Sequence, residues 1–144
     1  MTSDPAVAGD DLTSTDRVQI AALYAAYNET IDSGHGSAWA DTFAPAGEFV
    51  RAGAVVTGPA QLAAFVTDRW TALGESAVVG VRHWNAGLVV VGSGTRATGS
   101  CDLLVAGTQR ATGERVVVAS GRYEDVLELA EAGWRFTRRT LTLD

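Results

Sequence analysis

The strongest restriction on the fold is a change of hydrophobic period at Val78. Upstream of it, apolar residues recur at helical spacing; downstream they recur as in strands, and they do so to the end of the chain. Four strands are predicted, over roughly 78–91, 95–107, 115–129 and 133–143. The breaks between them, "GSG" at 92–94, "QRATGE" at 109–114 and "AEAG" at 130–133, are short enough for hairpins. Helices first and a run of antiparallel strands afterwards specify an α+β domain, with the helices on one face of a curved sheet. The chain has 144 residues, enough for one core without disulfide staples. Residues 1–12, small and acidic, are expected to form a flexible tail, and 13–144 a single domain.

In the helical part, "TSTDRVQIAALYAAYNETIDSG" opens with hydroxyl residues that can cap a helix and with Asp16 in the first turn. Ile20, Leu23, Tyr24, Tyr27 and Ile31 form its apolar stripe, and Gly34 supplies a stop. Asp32 falls at the edge of that stripe, on the side shared by Tyr24, Asn28 and the small Ala21 and Ala25. A short second helix is predicted in "GSAWADTFA", stopped by Pro45, and two short strands around Gly53. Gly58-Pro59 then opens a third helix with Leu62, Phe65, Val66, Trp70 and Leu73 on its buried stripe.

Charge and composition exclude several functions. A net charge of −6 argues against a nucleic-acid surface and against adhesion to anionic lipid. No apolar segment approaches membrane-spanning length and the N-terminal residues lack a signal-peptide pattern, so a cytoplasmic protein is expected. A single cysteine, Cys101, excludes an intrachain disulfide and a cysteine-rich zinc site. His35 sits in a Gly-flanked turn, and no ligand spacing supports a metal site.

A histidine sits in the middle of the first long strand, "VGVRHWNAGLVVV", with Asn85 two residues on. Alternation puts His83, Asn85, Gly87, Val89 and Val91 on one face and Trp84, Ala86, Leu88 and Val90 on the other. A histidine in such a run is either a satisfied core residue or a reactive group facing a cavity, and the strand alone leaves both open.

Five segments in fixed order bear on that choice: "LYAAYNETID", "WADTFAPAGEFV", "RHWN", "GRYEDVLEL" and "GWRFTRR". Together, over about Thr15 to Thr142, they resemble the NTF2-like superfamily and its SnoaL-like branch. The resemblance implies a cone: three N-terminal helices packed on a strongly curved, mixed, mainly antiparallel sheet around a deep apolar pocket. Members include polyketide cyclases, dehydratases and dehydrochlorinases, and others are non-catalytic, so the fold alone does not fix the function.

In the dehydratase-like and dehydrochlorinase-like members an aspartate ending helix one pairs with a histidine on the first long strand; the matching residues are Asp32 and His83. An arginine after the last-strand tryptophan falls on Arg139, with Arg138 one residue off as the alternative. Alternation sets Arg139 with Arg135 and Thr137, opposite Trp134 and Phe136. The resemblance thus implies a lyase or isomerase needing no cofactor. His83 would remove a proton from carbon beside a carbonyl, Asp32 would orient the ring, and Arg139 would meet developing negative charge. A surface ion pair from Arg139 to Glu124 or Glu128 is the competing reading.

Tyr24, Tyr27, Asn28 and Asn85 are candidate substrate-binding residues, as is Asp102, which faces either the pocket or the wet side of the sheet. The expected substrate is a hydrophobic, polyketide-like or steroid-like small molecule, and the expected assembly a homodimer through the outer sheet face. Two alternatives stand beside this reading: a non-catalytic module that binds a ligand or docks a subunit, and a cyclase that shapes a polyene for pericyclic closure.

Overall fold

The computed structural model describes residues 9–144; residues 1–8, most of the expected tail, lie outside the described residues. The last residues of that expected tail touch the fold. Asp11 N–H donates to the Gly92 carbonyl at 2.9 Å, Arg17 donates to the Asp10 carboxylate, and Leu12 is 9% exposed.

Helix α1 spans Ser14–Asp32 and opens with a reciprocal cap. The Asp16 N–H donates to the Thr13 hydroxyl and the Thr13 N–H to the Asp16 carboxylate, each at 3.0 Å. Asp16 also accepts the Trp134 indole N–H at 3.1 Å, which ties the start of the helix to the last strand. The predicted stripe of Ile20, Leu23, Tyr24, Tyr27 and Ile31 is buried.

Helix α2, Gly36–Ala40, is shorter than expected. The Thr42 hydroxyl and N–H both turn back to the Trp39 carbonyl and close the helix before Pro45. Strand β1, Phe43–Arg51, then runs through the proline where its pairing is irregular, so no ladder donor is missed. Strand β2 (Ala54–Thr57) and helix α3 (Gly58–Gly74) follow, then the four long strands β3 (Val78–Ser93), β4 (Arg96–Gln109), β5 (Arg115–Ala130) and β6 (Gly133–Leu143).

The six strands form one sheet in the order β2-β1-β6-β5-β4-β3. Strands β1 and β6 run parallel and the other neighbours antiparallel, as a hairpin-built sheet requires where its first strand returns beside its last. The helices cover one face. Between the layers Tyr27 packs against Trp39, Phe43, Tyr123 and Phe136 with ring centroids 5.3–6.2 Å apart.

Two irregularities overturn the simple alternation and decide which side chains face inward. Strand β3 bulges at Gly87, whose φ of +65° suits glycine, and its pairing slips between Ala86 and Val89. His83 and Asn85 stay on the inner face, but Val89 and Val91 turn outward at 59% and 39% exposed, while Val90 packs against the core. On β6 the register steps from Phe136 opposite Leu127 to Arg138 opposite Val126, leaving Thr137 over. Arg139 therefore shares the inner face with Trp134 and Phe136, contrary to the strict alternation expected of it.

Candidate active site

Asp32, the last residue of α1, holds residue 83 by two bonds. One carboxylate oxygen accepts the His83 backbone N–H at 2.9 Å, and the other lies 2.6 Å from the ring Nδ1. A carboxylate only accepts, so Nδ1 carries the hydrogen and Nε2 of the neutral ring is left with a free lone pair. Among the described residues Nε2 has no hydrogen-bond partner. The His83 and Asp32 side chains are 7% and 17% exposed, so the pair is sheltered without being sealed.

Successive turns of α1 repeat the pattern, because residues four apart stand above one another. Asn28 donates to the Asn85 side-chain carbonyl at 2.7 Å, and Asn85 donates to the Asp102 backbone carbonyl at 3.2 Å. A turn earlier the Tyr24 hydroxyl donates to Asp125 at 2.5 Å. Tyr24, Asn28 and Asp32 do share a side of the helix, as predicted, and each meets a polar group on the sheet. The Asn28 side-chain oxygen remains buried without a partner.

A cavity of about 640 Å³, a size suited to a small organic ligand, opens at the Asp32 end of this ladder; Asp32 lines it, while His83, Asn28 and Asn85 stand behind that wall. Trp70, Leu73, Val79 and Val81 form its apolar wall, and Asp32, Glu29, Arg82 and Arg110 supply its charged groups. Trp70 was expected in the buried stripe of α3, but it is 49% exposed and folds over Gly34. There a Cβ would come within 2.4 Å of the indole, and φ is +74°, so glycine admits both the turn and the ring.

Arg139 lies elsewhere. It is 0% exposed, with Nε 3.1 Å from the Asp125 carboxylate and its guanidinium over the rings of Tyr123 at 3.5 Å and Tyr27 at 4.1 Å. Tyr24 and Tyr27 are 4% and 0% exposed and enclose the same charge. These three were expected at the pocket; they form a closed cluster behind it and do not line the cavity.

The partner of Arg139 is neither Glu124 nor Glu128. Asp125 was missed, although alternation with Tyr123 and Leu127 in "GRYEDVLEL" marks it as inward-facing. Burial pushes the Asp125 carboxyl up to about 6, against the pull of Arg139 and the Tyr24 hydroxyl. Burial also pushes the Cys101 thiol up to about 11, which keeps it a neutral, unreactive packing group.

Asp102 is corrected too. It stands between the inward Cys101 and Leu103, so it faces outward, and it pairs with Arg122 at 3.1 Å on the exposed side of the sheet. Arg138 is likewise outside, 3.2 Å from Glu48. Among the described residues no three His, Cys, Asp or Glu side chains come together in a way that could hold a metal ion, and no helix is long and apolar enough to cross a membrane.

Comparison with known proteins places the fold. A family model described as a SnoaL-like domain matches residues 13–140. A search of the curated proteins finds no match. Among solved structures, the Mycobacterium tuberculosis protein Rv3472, described as of unknown function, is 28% identical with a TM-score of 0.80, covering 90% of this chain and 72% of that one. An NTF2-like protein with a cystatin-like fold from Novosphingobium aromaticivorans is 26% identical with a TM-score of 0.76, covering 90% and 82%. ActVI-ORFA from Streptomyces coelicolor, at 19% identity, a TM-score of 0.80 and 92% and 97% coverage, shares the fold.

Proposed function

This chain belongs to the SnoaL-like domain family, and from that premise we propose that it is a cofactor-independent lyase or isomerase acting on a hydrophobic, carbonyl-containing small molecule of polyketide-like or steroid-like shape. The observation that carries the reading is the pair of hydrogen bonds by which Asp32, a residue of the cavity wall, holds the His83 backbone and ring.

The chemistry follows from that arrangement. Nε2 takes a proton from carbon next to the carbonyl, and the C–H electrons move toward the carbonyl oxygen to form an enolate. Asp32 stabilises the imidazolium that results and keeps the ring from turning, so the base is aimed before the substrate arrives. As the enolate collapses, its electrons expel a β-hydroxyl, which leaves as water with the proton from Nε2; alternatively, the proton returns to a different carbon and the double bond migrates. The apolar wall of Trp70, Leu73, Val79 and Val81 holds the flat body of the molecule and excludes water. A homodimer through the outer sheet face belongs to the same proposal: Trp84 and Leu104 are opposed neighbours there and are 58% and 41% exposed.

The test uses 2-tetralone, an aromatic ketone with acidic C–H bonds, incubated with enzyme in D₂O and followed by mass spectrometry. Wild type is expected to accelerate deuterium uptake, and His83→Ala to lower the rate about 10²–10⁴-fold. Asp32→Asn is expected to fall between them. Undiminished exchange in a folded His83→Ala variant would remove the histidine from the reaction.

A further inference from the structure

Neither element that carries the Asp32–His83 pair fixes it unaided. Asp32 is the last residue of α1, where the helix dipole disfavours a carboxylate, and the last turn has no basic residue to offset it. His83 lies on β3, the edge strand of the sheet, in a short run between two bulges. Pairing with β4 slips between Val79 and Arg82 and again between Ala86 and Val89, at Gly80 and Gly87, whose φ are +61° and +65°. A bond between two such places keeps its geometry only where something nearby sets their separation.

Among the described residues, hydrogen bonds join α1 to β3 at three places: Arg17 to the Val90 carbonyl, Asn28 to Asn85, and Asp32 to His83. The Arg17 link lies beyond the Gly87 bulge, so only the Asn28–Asn85 link shares the segment of His83. Spacing lets the two rungs run side by side. Asn28 and Asp32 are four residues apart on the helix, about 6 Å of rise, and Asn85 and His83 are two apart on the strand, about 6.8 Å. The direction of the amide rung is fixed as well. The Asp102 backbone carbonyl only accepts, so Asn85 gives it an N–H and turns its own carbonyl to Asn28, which donates in turn. That order leaves the Asn28 side-chain oxygen buried without a partner. Two apolar side chains would fill the same space with no such orphan. Neither asparagine lines the cavity.

We propose that Asn28 and Asn85 are positioning residues for the base: their amide rung sets the gap between α1 and β3, and with it the bond from Asp32 that keeps Nδ1 protonated and Nε2 bare. The rung ends on the Asp102 carbonyl of β4, so it ties the dyad to the inner part of the sheet and not to the edge strand alone. It gives both asparagines a task other than substrate contact. The inference rests on the proton-abstraction reading for its catalytic meaning.

The experiment compares wild type with the double variant Asn28→Leu/Asn85→Leu. Long-range ¹H–¹⁵N NMR without substrate reads the His83 tautomer, and deuterium exchange into 2-tetralone gives kcat and KM. With the orphan oxygen gone, the variant is expected to unfold at a urea concentration equal to or above that of wild type. Its His83 is expected to be shared between Nδ1–H and Nε2–H forms, where wild type shows Nδ1–H alone. Its kcat should fall about 10- to 100-fold, the effect of a displaced base, with KM within about twofold. Asn28→Ala carries the same comparison if the double variant does not fold. A His83 that stays wholly protonated at Nδ1 in the folded variant would overturn the proposal. So would a raised KM at unchanged kcat, the sign of a substrate contact. The tautomer measurement judges the rung separately from the reaction: it stands even if a folded His83→Ala variant exchanges as fast as wild type and the histidine is not the base.

Discussion

Tyr24 and Arg139 meet different oxygens of Asp125, so replacing it by asparagine removes the titrating acid of the sealed cluster while keeping an oxygen for one of the two. In the native chain this carboxyl is 4% exposed. Burial raises its pKa from the ordinary 3.8 to about 6, with Arg139 and the Tyr24 hydroxyl pulling the other way. A group that binds its proton more tightly folded than unfolded stabilises the fold fully below its unfolded pKa, and that stability is lost as pH rises through the folded value. The gap corresponds to about 3 kcal/mol. Relative to Asp125→Asn, wild type should therefore lose about 3 kcal/mol between about pH 4 and about pH 7, then level off.

Urea unfolding followed by circular dichroism at a series of pH values reads this directly, because the difference between the two proteins cancels titrations they share. A difference that stays flat would refute the reasoning. So would one in which wild type gains on the variant as pH rises, since that would mean Arg139 and Tyr24 keep the carboxylate ionised throughout.

Two further outcomes follow from the packing. A Cβ at Gly99 would meet the Tyr24 hydroxyl at 2.2 Å, so Gly99→Ala should push Tyr24 off Asp125 and cost roughly 1–3 kcal/mol, read as a lower urea midpoint; an unchanged midpoint would contradict the close approach. Wild type should sediment as a dimer and Trp84→Glu as a folded monomer; a monomeric wild type would dispose of the outer-face interface.

The four long strands and their hairpins were legible because apolar alternation and turn residues agree in each, and the observed ends fall within about two residues of the predicted ones. The Asp32–His83 pair was legible through helical phase combined with family resemblance. Facing was harder to read wherever a bulge intervened. Gly87 reverses Val89 to Val91, and the extra Thr137 brings Arg139 inward beside Phe136. An inserted residue changes the face of everything beyond it, and only the partner strand shows that it is inserted. The Arg139–Asp125 pair was hidden for the same reason, since pairing across two strands depends on register. Trp70 escaped because helical phase alone does not separate a core position from the wall of an open cavity.

The dyad itself can be examined without any substrate. Long-range ¹H–¹⁵N NMR of the histidine rings, recorded where they are neutral, reports which nitrogen of His83 bears the hydrogen. The clasp by Asp32 predicts a protonated Nδ1 and a bare Nε2. A ring protonated at Nε2, with Nδ1 bare, would contradict the proposal that His83 is held ready to accept a proton from carbon.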